Sequence, residues 1–266
     1  MSEAGYTCFM LNSTLIERIE VTPDLLILRV KPDAGVPDFK PGQYVALGLM
    51  GVAPRYIGAE PEVETPAADK LIKRAYSIGS SPTQREYLEF YVAVVPTGTL
   101  TTRLAALQVG DRLFTQPKVT GTFTLDGIER ARNLVLVSTG TGLAPFMSMV
   151  RTGDVWAPKR RVTVIHGVRF PEDFAYSDEL RSYQKRDLDL RYLPIASRAG
   201  DDYTGHKGRI QRLFDEGLVS PDPENDSVFL CGNPAMIEDM ERHLVSRGFV
   251  VHSKKTPGNL HVEKYW

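Results

Sequence analysis

The stretch NLVLVSTGTGLAPFMSMV, residues 133–150, decides the fold. Its first apolar run ends at Val137, Gly140 and Gly142 follow, and Pro145 opens a second apolar run. Proline suits the first turn of a helix, where its missing N–H is no loss, and glycines let the backbone approach a phosphate closely. The pattern predicts a strand, a glycine turn and a helix whose N-terminus would bind a pyrophosphate. A purely structural turn remains the alternative, because the full G-x-G-x-x-G/A fingerprint is not present.

The rest of the second half alternates strand and helix patterns. The predicted strands are NLVLV, RVTVIHGV, LRYLPIA and SVFLCG, and the predicted helices cover Pro145–Arg151, Ala175–Lys185, Ile210–Glu216 and Ala235–Arg247. This alternation predicts an α/β domain with a parallel, Rossmann-like sheet built from right-handed crossovers.

The first half has a different period. Short apolar runs separated by turn residues predict strands at Leu25–Val30, Tyr44–Leu49, Ala75–Ile78, Leu88–Val95 and Asp111–Thr115. They favour an antiparallel β-barrel, interrupted by one helix at Leu100–Leu107. Gly51–Lys73 is read as a surface excursion between two barrel strands. We therefore expect two domains, residues 1–126 and 127–266.

Composition excludes several classes of protein. The 266 residues carry a formal net charge of −1, which argues against a nucleic-acid binder. No run approaches the roughly 18 apolar residues of a membrane span, and no secretory signal is visible at the N-terminus. Cys8 and Cys231 are too few for an iron–sulfur cluster, and nothing predicts a metal site. We expect a cytoplasmic monomer.

The tips of the predicted parallel strands indicate which coenzyme binds. NAD-binding folds place a carboxylate after the second strand, whereas this strand runs into Arg169. The third strand ends at Ser197 and Arg198, and Arg209 follows. Hydroxyl and guanidinium groups suit the 2′-phosphate of NADP(H). Any one of these arginines taken alone would be read as solvated surface charge.

The barrel half contains a second candidate phosphate site. RAYSIGSS, residues 74–81, is a weak pattern alone, but YVAVVPTGTLTTRL follows at residues 91–104. Gly98 precedes the short helix, so Thr99, Leu100 and Thr101 would present N–H groups and hydroxyls to a phosphate. Two phosphate sites, one in each domain, predict two nucleotides.

These motifs occur in a recognisable order. The series R-x-Y-S, G-x-x-T before a helix, G-T-G-x-A-P, S-R, C-G-N-P and an aromatic C-terminus resembles the ferredoxin–NADP reductase family, and within it the bacterial ferredoxin/flavodoxin–NADP reductases. The resemblance runs from about Leu15 to Trp266 and implies an FAD-binding barrel followed by an NADP-binding α/β domain. It also implies that the C-terminal aromatic tail returns to the flavin.

The resemblance assigns residues position by position. It implies FAD contacts at Arg74, Ala75, Tyr76, Ser77, Tyr91, Gly98, Thr99, Leu100, Thr101, Thr141, Tyr265 and Trp266. It implies NADP contacts at Gly140, Gly142, Arg169, Ser197, Arg198 and Arg209. The residues expected around the reacting flavin are Ser77, Cys231, Glu263 and Tyr265. Arg74 would bind the FAD pyrophosphate, Tyr265 would cover the isoalloxazine and Trp266 would pack on the adenine side.

The implied activity is hydride exchange between NADP(H) and FAD, followed by single-electron exchange with a separate ferredoxin or flavodoxin. One alternative keeps the chemistry but changes the acceptor: an NADPH-dependent reductase of free flavin, or the reductase component of an oxygenase. The other is a nucleotide-binding regulator without turnover, against which Ser77, Cys231 and Tyr265 argue.

Overall fold

The computed structural model describes residues 11–156, 160–186 and 188–264. The chain forms two compact units, the first ending at Thr124 and the second beginning at Leu125. The predicted domain boundary after residue 126 is close to this division and stays a prediction. In the described residues, no helix is long and apolar enough to cross a membrane.

The first unit is an antiparallel sheet of six strands. They are β1 (Ser13–Thr22), β2 (Leu25–Pro32), β3 (Tyr44–Met50), β4 (Leu71–Ser77), β5 (Leu88–Ala93) and β6 (Arg112–Thr115), in the order β4-β3-β6-β1-β2-β5. One short helix, α1 (Thr101–Ala106), follows β5. Apolar side chains from all six strands and from α1 share a single core that includes Leu15, Phe90 and Leu104. The predicted barrel architecture is confirmed.

Two sequence predictions for this unit need correction. The sequence does not predict strand β1, although it lies between β6 and β2 in the sheet. Its sequence STLIERIEVT contains no long apolar run, because Glu17, Arg18 and Glu20 interrupt it. Strand β4 begins at Leu71 rather than Ala75 and ends at Ser77. The residues 51–70 between β3 and β4, here called the connecting segment, form neither helix nor strand.

The second unit is a parallel sheet of six strands. They are β7 (Asn133–Thr139), β8 (Val162–Val168), β9 (Leu190–Ala196), β10 (His206–Lys207), β11 (Asp226–Gly232) and β12 (Leu260–Lys264), in the order β10-β9-β8-β7-β11-β12. The helices are α2 (Ala144–Val150), α3 (Ser177–Gln184), α4 (Gln211–Asp215) and α5 (Pro234–Val245). The predicted Rossmann-like sheet is confirmed.

The strand order explains where the glycine turn lies. β7 is central, with β8 on one side and β11 on the other. The turn after β7 therefore meets the carboxyl ends of both neighbours, where nucleotides bind in such sheets. β7 continues two residues beyond the predicted end at Val137, and a 3₁₀ turn at Gly140–Leu143 precedes α2. The sequence pattern does not predict the edge strands β10 and β12, because each is short and carries charged or polar side chains.

Candidate cofactor-binding sites

In the barrel unit, the turn before α1 is closed by its own hydrogen bonds. Gly98 N–H donates to the Val95 carbonyl at 2.8 Å, and the Thr101 hydroxyl accepts from Val95 N–H at 3.2 Å. A Cβ on Gly98 would lie 2.3 Å from Thr101 Oγ1, so the closed turn requires glycine. In the described residues, the backbone N–H groups of Thr99, Leu100 and Thr101 donate no hydrogen bond. They are therefore free to bind an anion.

Arg74 lies on β4 with an exposed side chain. Its Nη1 donates to the Lys73 carbonyl at 2.8 Å, and no carboxylate of the described residues pairs with it. A guanidinium without a counterion suits a pyrophosphate. The arginine and the N–H groups of the turn supply the donor types that the pyrophosphate of FAD requires.

The other predicted flavin residues of this unit differ in exposure. Ala75 is exposed, Tyr76 is half-buried and Ser77 is buried. Burial raises the pKa of Tyr76, so that its phenol stays neutral at ordinary pH. Tyr91 lies on β5 and is 3% exposed. These side chains are held by β-strands rather than by loops, which fixes their directions.

In the second unit, the two glycines of the turn after β7 have different roles. Gly140 has φ +51° and open space around the position of a Cβ. A Cβ on Gly142 would lie 2.4 Å from the Cys231 carbonyl oxygen and 2.8 Å from Gly232 Cα. The space beside Gly142 is occupied by the backbone of β11, so packing requires this glycine whether or not a phosphate binds. Thr141, between them, is 7% exposed.

Sequence reasoning does not identify two residues that hold this turn. His166 is fully buried on β8, and its Nε2 donates to the Gly140 carbonyl at 3.1 Å. Burial lowers the pKa of His166 to about 4, so the ring is neutral near pH 7. Thr139 accepts a hydrogen bond from Asn233 N–H at 2.8 Å. A histidine at the end of an apolar strand is the only sequence signal for this role.

The predicted 2′-phosphate residues lie at the tips of β8 and β9 and just after β10. Arg198 N–H donates to the Arg169 carbonyl at 2.7 Å, which joins the two tips. The Ser197 hydroxyl donates to the Val168 carbonyl at 3.2 Å. Arg169, Arg198 and Arg209 are exposed, and in the described chain none of them pairs with a carboxylate. Elsewhere, exposed arginines such as Arg112, Arg212 and Arg242 form ion pairs.

Cys231 and Glu263 lie on the neighbouring strands β11 and β12. They are paired in register, and the Cys231 thiol donates to Glu263 Oε2 at 3.9 Å. Cys231 is fully buried, whereas Glu263 is half-buried. Tyr265 and Trp266, which the resemblance places over the flavin, lie outside the described residues.

Comparison with known proteins agrees with this arrangement. The family described as "Oxidoreductase FAD-binding domain" matches residues 12–118, and "Oxidoreductase NAD-binding domain" matches residues 136–242. Ferredoxin–NADP reductase A of Sorangium cellulosum is 34% identical over 98% of this chain and 90% of its own. Flavodoxin/ferredoxin–NADP reductase of Escherichia coli is 31% identical over 88% of this chain and 90% of its own.

A solved structure is also similar. The ferredoxin NADP+ reductase from Neisseria gonorrhoeae, crystallised with bound FAD and NADP, superposes with a TM-score of 0.80 at 26% identity, covering 95% of this chain and 97% of that one. The order of motifs, the two sheets and the extent of these matches lead to one conclusion. The chain belongs to the ferredoxin–NADP reductase family.

Proposed function

We propose that the protein exchanges hydride between NADP(H) and a bound FAD, and single electrons between that FAD and ferredoxin or flavodoxin. One observation carries the proposal: the chain combines two anion-binding arrangements whose cations have no carboxylate partner in the described residues. One consists of Arg74 and the turn at Gly98–Thr101, and the other of the arginines after β8, β9 and β10. The family to which the chain belongs supports the same reading.

For FAD, we assign the pyrophosphate to Arg74 and to the free N–H groups of Thr99, Leu100 and Thr101. The guanidinium would neutralise the phosphates while the amides position them. Tyr76 would lie along the flavin or ribityl, and the Ser77 hydroxyl would face flavin N5. The neutral phenol of Tyr76 suits a contact with an uncharged ring system.

For NADP(H), we assign the pyrophosphate to the turn at Gly140–Leu143 and the 2′-phosphate to Ser197 and the three arginines Arg169, Arg198 and Arg209. Three unpaired guanidinium groups on successive strand tips favour a doubly charged phosphate over a ribose hydroxyl.

When bound, FAD would supply the chemistry that the side chains lack, namely acceptance of one hydride, which carries two electrons, and release of those electrons one at a time. The contribution of the chain is to orient the two nucleotides and to handle one proton. The Cys231 thiol and the Glu263 carboxylate share a hydrogen bond, so this pair can hold a proton beside the nicotinamide.

We propose that the electron carrier is a separate protein, since the two cysteines of this sequence are too few for an iron–sulfur cluster. The names of the relatives from Sorangium and Escherichia coli support a ferredoxin or a flavodoxin in this role. We further propose that the protein acts as a monomer in the cytoplasm, where NADPH and both carriers are available.

Anaerobic titration with NADPH, followed by cytochrome reduction with added carriers, tests the proposal. We expect stoichiometric bleaching of bound flavin, and cytochrome reduction that depends on ferredoxin or flavodoxin at low micromolar concentration. Rapid turnover of free FMN with no response to either carrier would support the free-flavin reductase instead. Failure of NADPH to bleach the flavin would leave a regulator without turnover.

A further inference from the structure

The two ends of the connecting segment are hydrogen-bonded to each other. Gly51 N–H donates to the Lys70 carbonyl at 2.8 Å, and Val52 N–H donates to the Ala68 carbonyl at 3.0 Å. A Cβ on Gly51 would lie 2.1 Å from the Ala67 carbonyl oxygen, so the close approach requires glycine. The segment that the sequence predicts as a surface excursion is therefore closed at its base.

A buried ion pair joins the middle of this segment to α1. The Arg103 guanidinium contacts the Glu62 carboxylate through two hydrogen bonds, of 2.6 Å and 3.1 Å. The two side chains are only 3% and 6% exposed. The same guanidinium donates to the Thr99 carbonyl at 2.7 Å and to the Gly51 carbonyl at 2.9 Å. One side chain thus connects the middle of the segment, its first residue Gly51 and the turn before α1.

A second arginine joins the segment to the same turn. Arg55 Nε donates to the Thr102 hydroxyl at 3.1 Å and its Nη2 donates to the Pro96 carbonyl at 3.3 Å. Backbone bonds run in parallel, from Tyr56 N–H to the Thr102 carbonyl at 3.0 Å and from Glu60 N–H to the Pro96 carbonyl at 3.1 Å. The segment therefore contacts the residues on both sides of the turn, those before Gly98 and those after Thr101.

The charges make Glu62 the central residue of this arrangement. Hydrogen bonds from Arg103 hold the pKa of Glu62 below its ordinary value, so the carboxylate is ionised. A buried guanidinium needs such a partner, because an uncompensated buried charge is strongly unfavourable. Without the carboxylate, Arg103 would turn toward water and release the Thr99 carbonyl. The free N–H groups of the turn would then lose their fixed directions.

We propose that Glu62 is a positioning residue for FAD: through Arg103 it holds the turn at Gly98–Thr101 in the shape that receives the pyrophosphate. This inference rests on the proposed function, since it takes the turn as part of the FAD site. Glu62 itself need not touch the cofactor. Its role explains why a long segment without helix or strand is fixed in place by a buried ion pair.

Release of FAD from the holoenzyme, followed by the rise in flavin fluorescence on dilution, tests the role. Loss of a charged, buried hydrogen bond predicts FAD release about ten- to a hundredfold faster in Glu62→Gln. Glu64→Gln, an exposed glutamate two residues away, is the matched control and keeps the parent rate. Parent-like release in Glu62→Gln would overturn the proposal. If the Glu62→Gln protein does not fold, the same release measurement is made on Glu62→Asp, which keeps the charge.

Two further variants distinguish a positioning role for Glu62 from a general loss of stability and from a wrong placement of FAD. Val30→Ala removes core volume from β2 and lowers the thermal midpoint without touching the segment. If it releases FAD as fast as Glu62→Gln at a similar midpoint, Glu62 acts through general stability and the proposal fails. Gly98→Ala changes the turn itself. If Gly98→Ala releases FAD at the parent rate, the assignment of FAD to this turn is wrong. If Gly98→Ala releases FAD fast while Glu62→Gln releases it slowly, only the role of the ion pair is overturned.

Discussion

Replacing Gly142 by alanine tests whether packing or a phosphate requires the second glycine of the nucleotide turn. The new Cβ would lie 2.4 Å from the carbonyl oxygen and 2.7 Å from the carbonyl carbon of Cys231, and 2.8 Å from Gly232 Cα. All three are backbone atoms of a central strand, so no side-chain rotation relieves the contact. The turn and β11 must move apart, or both must distort.

The expected cost follows from this geometry. Overpacking a rigid site typically costs about 1–3 kcal/mol, and three backbone contacts under 3 Å place Gly142→Ala at the upper end, at about 3 kcal/mol. Gly140→Ala meets open space but must adopt φ +51°, which costs about 1–2 kcal/mol. Gly153→Ala meets neither obstacle and should stay within about 0.5 kcal/mol of the parent.

Urea unfolding followed by the fluorescence of Trp156, which lies in the same unit, measures the three variants. We expect the loss of stability to rank Gly142→Ala above Gly140→Ala and Gly153→Ala last. NADPH affinity should fall in Gly142→Ala, because the clash displaces the turn from the strand that carries Cys231. The packing argument is refuted if Gly142→Ala is as stable as Gly153→Ala but binds NADPH more weakly. In that case Gly142 is required for phosphate binding.

Three other outcomes are expected. Arg198→Ala should weaken the binding of NADPH about ten- to a hundredfold and leave the binding of NADH nearly unchanged. Arg161→Ala, at the opposite ends of the strands, is the control and should change neither affinity. Equal losses for both coenzymes in Arg198→Ala would contradict the assignment. His166 has its pKa lowered to about 4, so its contribution is present above about pH 6.5 and is lost as pH falls toward 4. The His166→Gln protein should therefore show a flatter stability profile over that range, by about 3 kcal/mol, and an unchanged slope would contradict it. Truncation after Lys264 removes Trp266 and also Tyr265, for which we propose stacking on the flavin, worth about 1 kcal/mol. NADH should then bind several-fold more tightly. Unchanged Kd values would show that the tail does not compete with nicotinamide.

The sequence predicts best where local pattern and packing agree. The strand at residues 133–139 is apolar from Leu134 to Val137, because neighbours cover both faces of a central parallel strand, so this run identifies it. The glycines and Pro145 after it mark the turn and helix for steric reasons that do not depend on the remainder of the chain. The three arginines at the strand tips also follow from sequence, since each comes directly after or near a predicted strand.

The remaining features depend on contacts between distant residues. Strand β1 has the sequence STLIERIEVT. Its charged residues interrupt the apolar pattern by which a strand is recognised, although β1 lies between two other strands of the sheet. Glu62 and Arg103 are 41 positions apart, and nothing local distinguishes Glu62 from Glu60 or Glu64. The direction of the Gly142 Cβ likewise depends on β11, some 90 residues later. Single-sequence reasoning detects periodicity and turns, but it does not detect which partner a residue meets.

The position of β7 has a consequence for synthesis of the protein. Its neighbour β11 begins only at Asp226, so during translation β7 is an edge strand until that residue has been made and has left the ribosome. An apolar strand with an unpaired edge recruits other chains. Nascent or truncated chains that end before Asp226 should therefore aggregate through residues 133–139 and bind no coenzyme. The nucleotide turn forms among the last parts of the molecule, although its glycines are translated near the middle of the chain.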